Sequence, residues 1–115
     1  MMLNQPYVDP DPGNCLAIAA ALLARASDLT WSQAQSNPDP ELRFQGLGLD
    51  LTIAQALELL PADANLDVVD PVQTVPLELV RSAEEALRRR PIEDFPAGTS
   101  QLIVAVCDLV REHAP

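Results

Sequence analysis

The chain has 115 residues, of which 48% are apolar but only 3% aromatic, and it sets 17 acidic side chains against seven arginines and no lysine, a formal net charge of −10. A chain of this length can build one core without disulfide or metal staples, and a core of Leu, Ala, Val and Ile favours helices over sheets. The negative balance opposes nucleic acid and anionic lipid as partners, and the lack of lysine excludes lysine nucleophiles.

Met1 to Pro12 holds Pro6, Pro10 and Pro12 with no amphipathic period, so it reads as an extended lead-in (residues 1–12) to a helical domain over 13–115. Asp9-x-Asp11-x-Gly13 starts like a calcium loop, but the glycine falls one place early and no glutamate closes it. Helix 1 opens at Asp11-Pro12 or Asn14 and is centred on Cys15 to Ala24, ten successive residues without a polar side chain. An apolar arc that wide needs cover on two sides, which makes this the central helix. It extends through Leu29, and through Trp31 and Ala34, to the turn at Asn37-Pro38-Asp39-Pro40. The same run imitates a secretory signal ending at Ala24-Arg25-Ala26-Ser27, yet residues 1–14 contain two aspartates and no basic side chain. Ten apolar residues also fall short of a bilayer span, so the expectation is a cytoplasmic protein without membrane association.

Asp39 to Gly46 has a cap, a proline at the first helical position and a glycine stop, which predicts a short helical turn near 40–45, with Gly46 and Gly48 then bending the chain. Thr52 and Gln55 fit a capping box opening a helix over Thr52 to Leu60, which packs through Ile53, Ala54, Leu57 and Leu60 until Pro61 ends it. Ala62 to Val75 reads as an irregular connection pinned by Leu66, Val68 and Val69. Helix 3 runs from about Val75 to Arg90, with Leu79, Val80, Ala83, Ala86 and Leu87 facing in, and Glu84–Arg88 and Glu85–Arg89 paired outside. Asp94 with Pro96, or Thr99 if Gly98 breaks the turn, opens helix 4. There Leu102, Ile103, Val106, Leu109 and Val110 predict docking against helix 1. A weak echo relates Ile18 to Leu22 with Ile53 to Leu57, each preceded by Pro-Asp-Pro, without the fixed period of a true repeat. The predicted fold is therefore all-α, a compact single-domain bundle of four main helices plus a short helical turn near 40–45.

Catalytic groups are scarce. The single histidine, His113, lies two residues from the end and suits the helix dipole better than general-base work. Cys15 and Cys107 read as buried thiols on apolar runs, and Asp108 as a surface partner of Arg111. No zinc spacing and no phosphate loop is present, so no metal, cofactor or catalytic residue is expected. The acidity is uneven. Residues 1–70 hold ten acids and two arginines, a net of −8, whereas residues 71–115 hold seven acids and five arginines, a net of −2. Helix capping and turn-forming aspartates explain much of this, and an acidic binding face is the alternative. Trp31, Arg88, Arg89 and Arg90 are the candidate partner-binding residues, because Trp and Arg dominate interface hot spots.

These features point to a non-enzymatic helical interaction or adaptor module that docks a protein partner or a second copy of itself. The apolar stock exceeds what one thin bundle hides. An acidic inhibitor of immunity type, binding a basic partner, is the second reading. A small-ligand binder with a pocket between helices 1, 3 and 4 is the third.

Overall fold

Proline opens the first three helices of the chain: α1 (Pro12–Ser36), α2 (Pro40–Leu59) and α3 (Pro76–Leu87). A proline there loses no hydrogen bond, because the first-turn N–H groups have no partner within the helix. Before α1 and α2 an aspartate supplies the missing acceptor: Asp11 Oδ1 accepts from the Asn14 amide at 2.8 Å and Asp39 Oδ1 from the Glu41 amide at 3.0 Å. Each such cap stabilises its helix by about 1 kcal/mol. The repeated Pro-Asp-Pro is thus two helix starts.

The computed structural model describes residues 11–61, 64 and 74–114. Among them the chain is all-α, a bundle of the three helices above and α4 (Thr99–His113), with a 3₁₀ turn at Ile92–Asp94 between α3 and α4. The expected lead-in lies outside the described residues up to position 10, and Pro12 already belongs to α1. Of the expected 62–75 connection only residues 64, 74 and 75 are described, so Leu66, Val68 and Val69 lie outside.

Cys15, Leu16, Ala19, Ala20, Leu22, Leu23 and Ala26 of α1 are all buried, and the helix packs on both α2 and α3. The two neighbours cover its wide apolar arc. By length and composition α1 could cross a bilayer, but 56% of its most apolar window is buried inside the bundle, as in a core helix.

Two expectations are corrected. The first concerns residues 40–59, which form one uninterrupted helix instead of a short turn, a glycine bend and a second helix. Gly46 and Gly48 lie inside it. Thr52 is no cap but a buried mid-helix residue whose hydroxyl donates back to the Gly48 carbonyl at 2.8 Å. Gly46 is there for closeness: a Cβ built on it would stand 2.5 Å from Cε2 of the Trp31 indole. The second concerns α4, which packs on α2 and α3 and lies diagonal to α1. Around the bundle the order is therefore α1, α2, α4, α3. Amphipathic spacing shows that a face is buried but not which helix covers it.

Side-chain meetings give the directions. Ser27 meets Asp50, and one turn further along α1 Trp31 meets Gly46, one turn back along α2. Leu59 lies against Gly98, Gly48 against Leu109, and Gln45 donates to the Glu112 carbonyl. Both neighbours of α2 thus run antiparallel to it, as the three-residue link between α1 and α2 requires of that pair.

At the start of α4, Gly98 adopts φ 101°, a left-handed conformation that glycine takes without strain. Thr99 is the first helical residue, and its hydroxyl donates to the Pro96 carbonyl at 2.8 Å. Asp94 caps nothing and instead accepts from Arg90 at 2.7 Å.

Candidate interaction face

α2 is apolar almost all round, so its two opposite arcs compete for the core. The winning arc is narrow and mostly of small residues, with Gly46, Thr52 and Ala56 buried around Leu49 against α1 and α4. Small side chains let three helices meet closely. The cost is that larger apolar groups turn outward. Phe44 is 71% exposed, Leu47 52% and Leu51 69%. They stand at i, i+3 and i+7, and exposed Ala54 continues the row at i+10. Such spacing draws one straight stripe along the outer face of α2. Of the residues expected to pack from 53 to 60, Ala54 and Leu57 are exposed, while Ile53 and Leu60 lie at the edge of the core.

Trp31 marks one border of this stripe. Its indole covers Gly46, and its Nε1–H donates to Asp50 Oδ2 at 3.1 Å, while Ser27 Oγ donates to Asp50 Oδ1 at 2.6 Å. Asp50 therefore clips α1 to α2 with both oxygens. Beside it Trp31, Ala34, Gln35 and Arg43 line an open depression of about 390 Å³. Arg43 also sits one turn before Leu47, so depression and stripe form one continuous surface.

The arginine candidates do not join this surface. Arg88 donates to Glu84 Oε2 at 2.8 Å and approaches the Cys107 sulfur at 3.7 Å. Arg90 is tied to Asp94, and exposed Arg89 lies near the start of α1, where its charge is felt by Cys15. The three arginines thus close the end of α3 and stay apart from Trp31.

Cys107 and Glu84 form a contact that neither the charge spacing nor the apolar period signals. The Cys107 thiol donates to Glu84 Oε2 at 3.2 Å across the α3–α4 seam. That bond, followed by the pair with Arg88, holds the Glu84 carboxyl below the usual carboxylate range. Burial and the same carboxylate push the thiol up, against the opposing pull of Arg88. A thiol held protonated in this way is a poor nucleophile. Cys15 is buried and its thiol raised by desolvation, whereas Cys107 is half-buried and not the buried thiol expected, and neither cysteine is in a disulfide.

His113 Nδ1 lies 2.9 Å from the Leu109 carbonyl, within the last turn of α4. Among the described residues no three His, Cys, Asp or Glu side chains gather as a metal site. Of the three helices expected to line a pocket, α4 packs on α3 but lies diagonal to α1. A second depression lies on the surface of α3, between Arg81, Glu84, Glu85 and Arg88.

Comparison with protein-family models, curated proteins and solved structures gives no match. Function is read from the surface itself.

Two groups stand out among the acids of the described residues, with Asp28, Glu78, Glu85 and Glu93 in neither. Asp11 and Asp39 cap helices, and Glu84, Asp94 and Asp108 pair with Arg88, Arg90 and Arg111. Around the stripe stand Glu41, Asp50 and Glu58 of α2, joined by Glu112 of α4, whose Oε1 is 3.6 Å from where a Cβ on Gly48 would be. Arg43 is the cation interleaved with them.

Proposed function

We propose that this chain is a non-enzymatic helical interaction module and that the outer face of α2 is where it docks. The observation that carries the reading is the stripe of Phe44, Leu47 and Leu51, three large apolar side chains each more than half exposed on one straight line. Single exposed leucines are ordinary, whereas three in register on one helix form a contiguous patch of the kind that marks an interface. Trp31 and its clip to Asp50 hold the helix rigidly beneath the stripe, so the surface is formed before a partner arrives. Arg88, Arg89 and Arg90 serve the end of α3 in this reading and have no docking role.

Site-specific photocrosslinking in native lysate tests the proposal. A benzoylphenylalanine at position 44 should give discrete adducts that vanish when Leu51→Asp is added, and one at exposed position 100 should give none. Equal labelling from both positions, or adducts indifferent to Leu51→Asp, would overturn the assignment.

A further inference from the structure

We infer that the occupant of the α2 outer face is a basic amphipathic helix of a partner protein, an inference that rests on the docking reading above. The first support is geometric. Phe44, Leu47, Leu51 and Ala54 repeat at three and four residues, the period by which one helix is packed along another. They span about 15 Å of α2 at 1.5 Å per residue, so two to three turns of a facing helix cover the row. A strand, with side chains alternating every second residue, would match it at few points.

The second support is charge. Glu41, Asp50, Glu58 and Glu112 border the stripe against the one guanidinium of Arg43. Both oxygens of Asp50 are held by Ser27 and Trp31, so that charge keeps its position while its remaining lone pairs stay able to accept. An apolar row with an acidic border is complementary to an apolar row bordered by lysine or arginine. A second copy of this chain is a poor match. Two-fold pairing would set four carboxylates and one arginine against the same set, on chains that each carry −10.

The test uses the full chain and three fluorescent peptides of about 18 residues, or five turns. Each is stapled into a helix on the side away from a common leucine row. They differ only in their flanks, which are lysine, glutamine or glutamate, and anisotropy titrations are run at about 50 mM and about 300 mM salt. The lysine peptide should bind about tenfold tighter than the glutamine peptide at low salt, with the gap closing at high salt, and the glutamate peptide should bind weakest. Glu41→Gln with Glu58→Gln should narrow the gap, and Leu51→Asp should abolish binding of all three.

Equal affinity of the lysine and glutamine peptides at low salt would overturn the basic partner while leaving the docking face in place. Sedimentation showing a wild-type dimer that Leu51→Asp dissolves would also overturn it, with a second copy as the occupant. If no peptide binds and position 44 gives no photocrosslink, both the inference and the docking reading fall.

Discussion

Replacing Gly46 by alanine sets close approach against helix propensity, and the structure says which wins. In an exposed helix interior the change would stabilise by about 1 kcal/mol, since glycine is the poorest helix former after proline. At Gly46 the new methyl would lie 2.5 Å from Trp31 Cε2, with Cζ2 and Nε1 also within 3 Å. The indole is a rigid ring tethered through Nε1 to Asp50, so it cannot yield without losing that hydrogen bond. Overpacking of this kind costs roughly 1–3 kcal/mol, and the lost bond about 1 kcal/mol more. The balance is a destabilisation of about 2 kcal/mol, or roughly 8 °C in Tm for a domain of this size. Gly48→Ala is the control. Its methyl meets the far ends of two flexible side chains, Leu109 at 3.3 Å and Glu112 at 3.6 Å, so the propensity gain survives and stability should hold or rise. Trp31 is the single tryptophan, which makes its fluorescence a direct reporter of both urea unfolding and the displaced ring. A Gly46→Ala variant as stable as the parent, with unchanged Trp31 emission, would refute the close-packing account of why α2 runs unbroken through two glycines.

Leu51→Asp should leave Tm within about 2 °C of the parent, because exposed positions away from packing rarely cost more than 0.5 kcal/mol. It should at the same time remove most partner binding. Covering Phe44, Leu47 and Leu51, on average about two-thirds exposed, is worth about 4 kcal/mol at roughly 2 kcal/mol per full side chain. That upper bound corresponds to about a thousandfold in Kd, and retained affinity in Leu51→Asp would contradict it. Iodoacetamide alkylation of Cys107 in the Cys15→Ala background should be slow at neutral pH, faster in Glu84→Gln and slower in Arg88→Ala, following the signs with which those groups act on the thiol. Identical rates in all three would dissolve the Cys107–Glu84–Arg88 cluster. The Glu84 carboxyl titrates lower in the folded chain than in the unfolded one, so its contribution is complete above the ordinary carboxylate range and is lost as pH falls through the depressed folded value. Acid unfolding monitored by circular dichroism should therefore be less steep in Glu84→Gln, and an unaltered acid limb would count against the bond from Cys107.

Much of the architecture was legible in the residues. The Asp-Pro starts at Asp11-Pro12 and Asp39-Pro40, the apolar run of Cys15 to Ala24, and the periodic rows of α3 and α4 are local signals, and each lies in a helix, although the one opened at Asp39-Pro40 runs far beyond the expected turn and α3 ends at Leu87, short of Arg90. The apolar surplus was legible as well, and it reappears as exposed leucine and phenylalanine. The stripe that holds it is hidden in the sequence because Gly46 and Gly48 read as a stop. Once 40–59 is taken as one helix, the spacing of Phe44, Leu47, Leu51 and Ala54 is plain in the sequence. Trp31 borders the stripe, whereas Arg88 to Arg90 share with it only a residue type common at interfaces and lie at the end of α3.

Capping, proline placement and period act within a turn or two of chain, so the sequence by itself determined that four helices form and that α1 must be covered on two sides. Tertiary packing decided the rest. A helix interrupted by two glycines persists because the Trp31 ring and the α4 side chains fill the space those glycines leave. When a helix is apolar on opposite sides, as α2 is, periodicity cannot say which side turns inward. The choice fell to the arc of small residues that lets α1 and α4 approach, and that choice is what leaves Phe44, Leu47 and Leu51 facing outward.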